Sequence, residues 1–518
     1  MSRAIFKSTS VVGLTTLLSR ITGMMRDVAQ AQLFGGGPIA DAFLVAYKIP
    51  NFLRRLFAEG AFSQSFVPVV SQYKHQNSHE EVEELISGAA GTLGLALFVI
   101  TVIGVIGAPI IIWAFAPGFA HDGARHDLAV EMLRLTFPYL FFISLTALGS
   151  GVLNSYGSFG PPAFTQVLMN LIMIVAAVWI APHFANPGLV MAVSVFISGV
   201  VQVAFQVPFL LKLRLLGWPR WRWDHAGVRK VGKLMVPGIL GSSMAQVSLL
   251  LDTQIASFLV TGSVTWMYFA DRLVEFPLGV FSIALATVIL PSLSGHHAAE
   301  APERFSNTLD WALKLVVIMV LPAAVALFFL AGPLTATFFG HGRFSPFDVT
   351  MSSYALMAYS FGLLGFSFVK VLAPGYFARQ DTRTPVRVSL VSLGVNIGLN
   401  VAVVAPLVYF KLLPAPHAFL ALSTGISACV NSALLYRGLR RAQVLKPTAG
   451  WPVLLVRVLG ASVVMAALLW WLAGDLPSWF AMRTWQRVEH LGICVVAGLA
   501  VYFVALFAAG MRPHHVRH

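Results

Sequence analysis

The stretch YFADRLVEFPLG, residues 268–279, places three charged residues inside a strongly apolar run. They are Asp271, Arg272 and Glu275. An unpaired ion is costly in lipid, so charged residues in membrane helices usually face a protein interior or a water-filled cavity. If the surrounding sequence spans a membrane, this stretch therefore indicates a helix that takes part in function.

The composition is that of a membrane protein. Hydrophobic residues make up 57% of the 518 residues and charged residues only 11%, far from the balance of a soluble domain. At about 20 apolar residues per span, the apolar blocks between Gly, Pro and charged residues predict an all-α polytopic membrane protein with about 14 transmembrane helices. The first, second, seventh and eighth predicted spans are the more polar ones. The predicted spans lie near 8–34, 39–72, 84–115, 128–155, 162–182, 187–213, 227–260, 263–295, 306–330, 347–377, 385–411, 416–442, 451–473 and 488–510.

The distribution of Lys and Arg predicts the orientation in the membrane. With both termini in the cytoplasm, the inner connections hold about 20 of these residues and the outer ones about 5, as the positive-inside rule requires. The inner connection KLRLLGWPRWRWDHAGVRKVGK, residues 212–233, is the most basic. The net charge of +14 thus reflects topology and attraction to anionic membrane lipids. It indicates no nucleic-acid partner, since no motif for one is present.

Two halves of the sequence resemble each other at an offset of about 224 residues. APIIIWAFAPGF (108–119) returns as GPLTATFFGHGRF (332–344), and GAFSQSFVPVVS (60–71) returns as GVFSIALATVILPSLS (279–294). This pattern predicts two pseudo-symmetric six-helix lobes, residues 1–222 and 223–446, followed by two extra C-terminal helices in 447–518. Such lobes are typical of an alternating-access transporter.

Charged residues also interrupt the first two predicted spans. Arg20 lies about 18 Å into the first span at 1.5 Å per residue, which is too deep for its side chain to reach the surface easily. In a two-lobed protein the first two spans would face the seventh and eighth across a central cavity. An ion cluster that serves only packing is the alternative. We expect the cavity to be lined by Arg20, Arg26, Arg54 and Arg272, offset by Asp27, Asp41, Glu59, Asp271 and Glu275, with Lys48 and Asn51 on the second span.

The arginines indicate the kind of substrate. A guanidinium keeps its charge when it is partly desolvated, and its planar donors match phosphate oxygens. Arg55 and Glu59 are four residues apart and can pair on a helix, which leaves Arg54 available. The cavity therefore predicts an anionic, phosphorylated substrate.

A weaker pattern suggests a cation site. Asp252 lies in the seventh predicted span, Asn396 and Asn400 lie one turn apart in the eleventh, and Thr424 lies in the twelfth. Carboxylate and amide oxygens are ligands for a hard cation such as Na⁺. Amides that bond across helices for packing give the same pattern, so both interpretations stay open. No other metal-ligand spacing is present, and we expect no cofactor.

Four segments resemble the MurJ (MviN) family of bacterial lipid II flippases. They are SRITGMMRD (19–27), DAFLVAYKIPNFLRRLFAEGAFSQSFVPV (41–69), WMYFADRLVEFPLGVF (266–281) and VLAPGYFARQDTRTPV (371–386). The resemblance implies a fold of the multidrug/oligosaccharidyl-lipid/polysaccharide exporter type, with the last two helices forming a groove for a lipid tail. It also implies transport, without catalysis, of lipid II from the inner to the outer leaflet of the cytoplasmic membrane. By this resemblance the family's essential cavity arginines match Arg20, Arg26, Arg54 and Arg272, and its acidic cavity positions match Asp41, Glu59 and Glu275.

The residues support this expectation, and other functions remain as alternatives. Lipid II has a pyrophosphate that the arginines could bind, and its partners would include membrane lipids and proteins of cell-wall synthesis. An exporter of drugs or of another polyprenyl-linked glycan could share the two lobes. A membrane enzyme acting on polyprenyl phosphates would call for a carboxylate, histidine or metal constellation near one membrane face, which the sequence lacks.

Overall fold

The computed structural model describes residues 3–55, 62–404, 406 and 415–512. These residues form helices joined by short connections, without a β-strand among them, which confirms the predicted all-α fold class. Ten helical stretches of this described part are long and apolar enough to cross a membrane. They are His79–Ile106, Gly123–Ser155, Gly160–His183, Pro187–Lys212, Pro302–Phe329, Pro346–Phe377, Arg383–Val404, Pro416–Arg441, Trp451–Ala473 and Thr484–Ala508.

The four predicted spans outside this set are the polar ones near 8–34, 39–72, 227–260 and 263–295. Their described residues are helical except for 258–260, which follow the end of a helix at Ser257. The count of ten covers the described residues alone. Length and composition therefore support ten spans, and the count of 14 is not confirmed.

The chain forms two compact units, residues 1–265 and 266–518. Ala226–Ser257, which was predicted to open the second lobe, packs in the first unit against Ser63–Gln76 and the turn Pro117–His121. The division into 1–222, 223–446 and 447–518 stays a prediction. The helices of the first unit are α1 (Arg3–Phe34), α2 (Pro38–Arg54), α3 (Ser63–Gln76), α4 (His79–Ile106), α5 (Ala108–Phe115), α6 (Gly123–Thr136), α7 (Tyr139–Ser155), α8 (Gly160–Val175), α9 (Pro187–Lys212) and α10 (Ala226–Ser257).

The second unit contains the remaining helices, and its boundary falls inside the first turn of α11. In this unit α13 packs against α15 and α18, and α18 packs against α20. The helices are α11 (Ser263–Pro277), α12 (Ala284–Ala298), α13 (Pro302–Phe329), α14 (Ala331–Phe338), α15 (Pro346–Phe377), α16 (Arg383–Leu399), α17 (Pro416–Arg441), α18 (Trp451–Ala473), α19 (Leu476–Ala481) and α20 (Thr484–Ala508).

Several predicted spans are interrupted, and proline accounts for the breaks. The predicted span 84–115 is two helices separated at Gly107, with Pro109 in the first turn of α5. The span 128–155 breaks between α6 and α7 next to Pro138. The span 263–295 passes through a π-helical turn after Pro277. Proline has no N–H to bond to the carbonyl four residues earlier, so the regular α-helix is interrupted at these points.

Two prolines inside helices free a carbonyl that a neighbouring helix then satisfies. Pro50 removes the N–H partner of the Ala46 carbonyl in α2, and the Thr136 hydroxyl of α6 donates to that oxygen at 3.0 Å. Pro322 does the same to Ile318 in α13, and the Tyr502 hydroxyl of α20 donates to it at 2.6 Å. Since lipid cannot satisfy a bare carbonyl, these bonds make the bent helices stable in a membrane.

In the second unit α15 and α17 cross closely at a pair of glycines. A Cβ atom added to Gly362 would lie 2.3 Å from the Gly425 Cα atom. Only glycine permits this approach, which is a common way to pack membrane helices without a hydrophobic driving force.

The α15–α16 connection is fixed by Asp381, which accepts hydrogen bonds from the Thr384 amide (3.0 Å) and hydroxyl (2.6 Å) at the start of α16.

Candidate functional site

Arg26 lies in a buried polar cluster that joins α1, α2 and α8. Its side chain is 7% exposed, and its Nη2 donates to the Asp27 carboxylate at 2.7 Å. Its Nη1 donates to the Asn170 side-chain oxygen Oδ1 at 3.1 Å and to the Tyr47 hydroxyl at 3.4 Å. Asn170 in turn donates to the Ser19 carbonyl at 3.1 Å. The arginine charge is thus balanced inside the protein by one carboxylate and held by two polar side chains.

Three other cationic residues of α1 and α2, Arg20, Lys48 and Arg54, are more accessible. Arg20 is exposed and Arg54 is half-buried. The Arg54 Nε donates to the Asn51 side-chain oxygen at 3.2 Å. The Asn51 side-chain Nδ2 donates to the Tyr47 backbone carbonyl at 3.1 Å. Lys48 donates to the Thr253 hydroxyl of α10 at 3.3 Å. Arg55 is exposed, while its expected partner Glu59 lies outside the described residues.

Asp41 caps the N-terminal end of α11 from the first turn of α2. Its Oδ2 accepts a hydrogen bond from the Gly262 amide at 2.7 Å, and its Oδ1 accepts from the Thr265 amide at 3.0 Å and the Thr265 hydroxyl at 2.6 Å. Arg125 approaches the Oδ2 at 3.8 Å. The carboxylate is 1% exposed. A carboxylate at this position accepts hydrogen bonds from amides that have no partner within the helix. The positive end of the helix dipole also stabilises its negative charge.

The opening charged stretch forms a local cluster on α11 in the second unit. The Arg272 Nη1 donates to the Glu275 carboxylate at 2.6 Å, as their spacing of three residues predicts. The Nη2 donates to the Tyr268 hydroxyl at 3.2 Å, and the guanidinium lies 4.8 Å from that ring centroid. The Arg272 side chain is 25% exposed, and Asp271 is half-buried beside it. This cluster is therefore partly open, unlike that of Arg26.

Three of the four predicted cation ligands come together in the second unit. Asn400 donates to the Asn396 side-chain oxygen at 2.7 Å, and Asn396 donates to the Thr424 hydroxyl at 3.2 Å. The Ser423 hydroxyl donates to the Asn400 side-chain oxygen. Both amide oxygens therefore accept hydrogen bonds from other side chains. Asp252 belongs to the first unit, and the described residues contain no group of three or more His, Cys, Asp or Glu suited to a metal.

The sequence interpretation missed the neutral partners of these charges. Asn170 is an isolated amide in the apolar run VLMNLIM, and that isolation was the available signal. Tyr47 and Tyr268 each lie on the same helix as charged residues and contact an arginine. Thr265 carried no signal, because its role depends on a contact with a residue more than two hundred positions away.

The described part of the chain is helical, contains ten apolar helices of membrane length and has arginine–carboxylate clusters between or on its helices. These features define the class of multi-pass membrane transport proteins. The model of the family described as "Lipid II flippase MurJ" matches residues 30–510. A probable lipid II flippase MurJ of Haemophilus influenzae is 41% identical over 514 residues, which cover 97% of this chain and 99% of that protein. This chain belongs to the lipid II flippase MurJ family, which confirms the resemblance found in the sequence.

Solved structures show the same fold. A lipid II flippase MurJ in an inward closed conformation has a TM-score of 0.78 at 24% identity, over 95% of this chain and 97% of that chain. An inward-facing conformation of a multidrug resistance MATE family transporter of the MOP superfamily has a TM-score of 0.61 at 16% identity, over 82% of this chain and 95% of that chain. At these identities the likeness concerns the fold alone.

Proposed function

We propose that this protein moves lipid II, the lipid-linked peptidoglycan precursor, from the inner to the outer leaflet of the bacterial cytoplasmic membrane. The observation that carries the proposal is the family match over residues 30–510. A flippase moves its substrate without making or breaking a covalent bond, so the protein is a transporter and not an enzyme. The fold likeness to a MATE transporter supports transport by alternating access.

The proposed architecture adds the four polar spans to the ten apolar ones. It has 14 transmembrane helices, arranged as six-helix lobes in 1–222 and 223–446 and two further helices in 447–518 that hold the lipid tail. Both termini lie in the cytoplasm in this proposal. The distribution of Lys and Arg between connections supports this orientation.

In the proposed mechanism the cavity arginines bind the pyrophosphate. Arg272 is suited to this role because it is partly exposed and its present partner, Glu275, is a carboxylate that a pyrophosphate could replace. Arg20, Arg26 and Arg54 would contribute from the first two spans, with Lys48, Asn51, Asp41, Glu59, Asp271 and Glu275 around them. Competition between carboxylate and substrate for the same guanidinium also provides a route to release. Transport requires binding to differ between the two states, because a ligand held equally in both shifts nothing.

Asp41 offers a local latch for the alternating cycle. It lies at the start of α2, and both that end and the connection 258–262 are predicted to face the outside. Its three hydrogen bonds to Gly262 and Thr265 fix α2 to the beginning of α11. In the proposal these bonds hold the outer side closed and break when the substrate leaves.

A coupling ion is a separate part of the proposal. Na⁺ bound by Asp252, Asn396, Asn400 and Thr424 would have to displace the hydrogen bonds that the amide oxygens now accept. Transport by the purified protein should then depend on Na⁺ and lose that dependence in Asn400→Leu. Equal transport in Na⁺ and in K⁺ would contradict this part alone.

The decisive experiment substitutes Arg272 in a strain that depends on this protein. We expect Arg272→Ala to insert normally, to stop growth and to leave lipid II in the inner leaflet, while Arg272→Lys retains part of the activity through its charge. Arg440→Ala is the matched control, since Arg440 is exposed at the end of α17 and contacts Tyr436 in a similar way. Normal growth of Arg272→Ala at wild-type protein levels would refute the proposed role of this arginine.

A further inference from the structure

The connection between α9 and α10 displays alternating tryptophan and arginine side chains. The segment GWPRWRW, residues 217–223, is irregular backbone between the two helices. The exposed fractions of Trp218, Trp221 and Trp223 are 86%, 58% and 47%. Arg220 is also exposed. Large indole rings are seldom left this accessible without a partner, so the segment requires an explanation beyond connecting two helices.

This segment is fixed to α4 through its backbone. The Arg220 amide donates to the Ser87 carbonyl at 3.1 Å, and the Arg222 amide donates to the Thr92 hydroxyl at 3.3 Å. A Cβ atom on Gly91 would lie 2.3 Å from the Arg220 carbonyl oxygen, so the glycine permits the close approach. Because these backbone groups bond inward to α4, the exposed indole rings and the Arg220 side chain have a fixed platform.

The position along α4 places this platform at the edge of the apolar surface. The first two turns of α4 carry four glutamates, which end at Glu84. Beyond Thr92 the helix exposes Leu95, Phe98 and Val99, as a lipid-facing surface does. The platform lies between the two regions. Tryptophan concentrates at this level in membrane proteins, where its ring is in the apolar layer and its N–H reaches water.

The charge of the connection favours an anionic partner. Residues 212–233 contain seven Lys and Arg and a single acidic residue, Asp224. One of these charges is partly balanced, since the Arg222 Nη2 lies 3.7 Å from the Glu84 carboxylate. Arg214, Arg220 and Arg229 of this stretch are exposed. Basic side chains at this level are attracted to acidic lipid headgroups.

We propose that residues 217–223, fixed on α4, form a binding surface for the headgroups of anionic phospholipids. The indole rings enter the interfacial layer, and Arg220 and Arg229 contact the lipid phosphates. The surface is continuous with the apolar face of α4, which favours a lipid over a soluble nucleic acid or protein. The side of the membrane that it faces follows from the proposed orientation, but lipid binding itself does not depend on lipid II transport.

A site-specific cross-link tests this surface in the full-length protein. The photoreactive amino acid p-benzoylphenylalanine replaces the exposed Pro219, and the protein is placed in nanodiscs that contain equal amounts of phosphatidylglycerol and phosphatidylcholine. We expect several-fold more cross-linking to phosphatidylglycerol. Arg220→Gln with Arg229→Gln should reduce this preference by roughly fivefold or more, and higher salt should reduce it in the same direction.

Two further variants separate the platform from charge in general. Gly91→Val keeps every charge but removes the space that the Arg220 backbone occupies, so cross-linking at residue 219 should lose its preference. Arg440→Gln with Arg441→Gln removes two exposed charges at the end of α17 and should leave the preference unchanged. Equal cross-linking to both phospholipids in the unsubstituted protein would refute the proposal. A preference for added undecaprenyl pyrophosphate over phosphatidylglycerol would also overturn it, because the surface would then bind substrate.

Discussion

Replacing Asp41 by Asn tests whether the α2–α11 contact acts as a latch. Asn is nearly isosteric and keeps one oxygen that can accept from Thr265. Its NH₂ group then faces the Gly262 amide, which now donates to Oδ2 at 2.7 Å, and faces Arg125 at 3.8 Å. The substitution thus removes one charge-assisted hydrogen bond and places two donors against each other. A loss of about 2 kcal/mol follows, which is roughly a thirtyfold shift toward the open contact.

The opening can be measured by labelling a buried cysteine beside the latch. Ser263 is fully buried at the start of α11, and Ser263→Cys is a small change in a protein whose Cys429 and Cys494 have been replaced by Ala. A membrane-impermeant thiol reagent should label this cysteine about thirtyfold faster with Asp41→Asn. Asp127→Asn removes the same charge from an exposed site of α6 and serves as the control. Labelling rates within twofold of each other in all three proteins would refute the latch.

Three other predictions concern stability and assembly. Tyr502→Phe should destabilise the protein by about 1 kcal/mol, and the loss should largely vanish when Pro322→Ala restores the helical N–H, as a double-mutant thermal-unfolding cycle would show. Gly425→Val should prevent folding, while Gly492→Val, where a Cβ meets open space, should not, as judged by monodisperse protein yield. The bonds that Asp381 accepts lower the pKa of its carboxyl, so its stabilisation is present above the unfolded-state pKa and is lost as pH falls through the lower folded-state value. Asp381→Asn should remove that part of the acid dependence of unfolding.

Helix positions followed closely from the sequence because each depends on local composition. The predicted span 451–473 coincides with α18, and 187–213 differs from α9 by one residue. The π-helical turn Leu278–Ile283 was not predicted, since it depends on whether the backbone N–H groups bond to the carbonyl four or five residues earlier. The positions of Gly and Pro therefore predicted the ends of these helices closely, but they did not predict where a helix is interrupted inside a span.

The site divides in the same way between local and distant contacts. The Arg272–Glu275 pair follows from a spacing of three residues on one helix. The contact between Arg26 and Asn170 joins residues 144 positions apart, and that between Asp41 and Thr265 joins residues 224 apart. A single sequence contains no signal for such pairs. Their residue types indicated that partners were needed, but only the fold identifies them.

The Thr136 hydroxyl on the Ala46 carbonyl has a consequence for which parts of the molecule can move. Within the body of α2, Pro50 leaves this one oxygen without its helical donor. If α6 moved along α2 by one turn, about 5.4 Å, the Thr136 hydroxyl would lie next to a carbonyl that already accepts a helical N–H. The Ala46 carbonyl would then have no hydrogen-bond donor in an apolar layer. This hydrogen bond therefore fixes the position of α6 along the axis of α2. Any large displacement during a working cycle must occur at other boundaries, with α2 and α6 carried along as one piece.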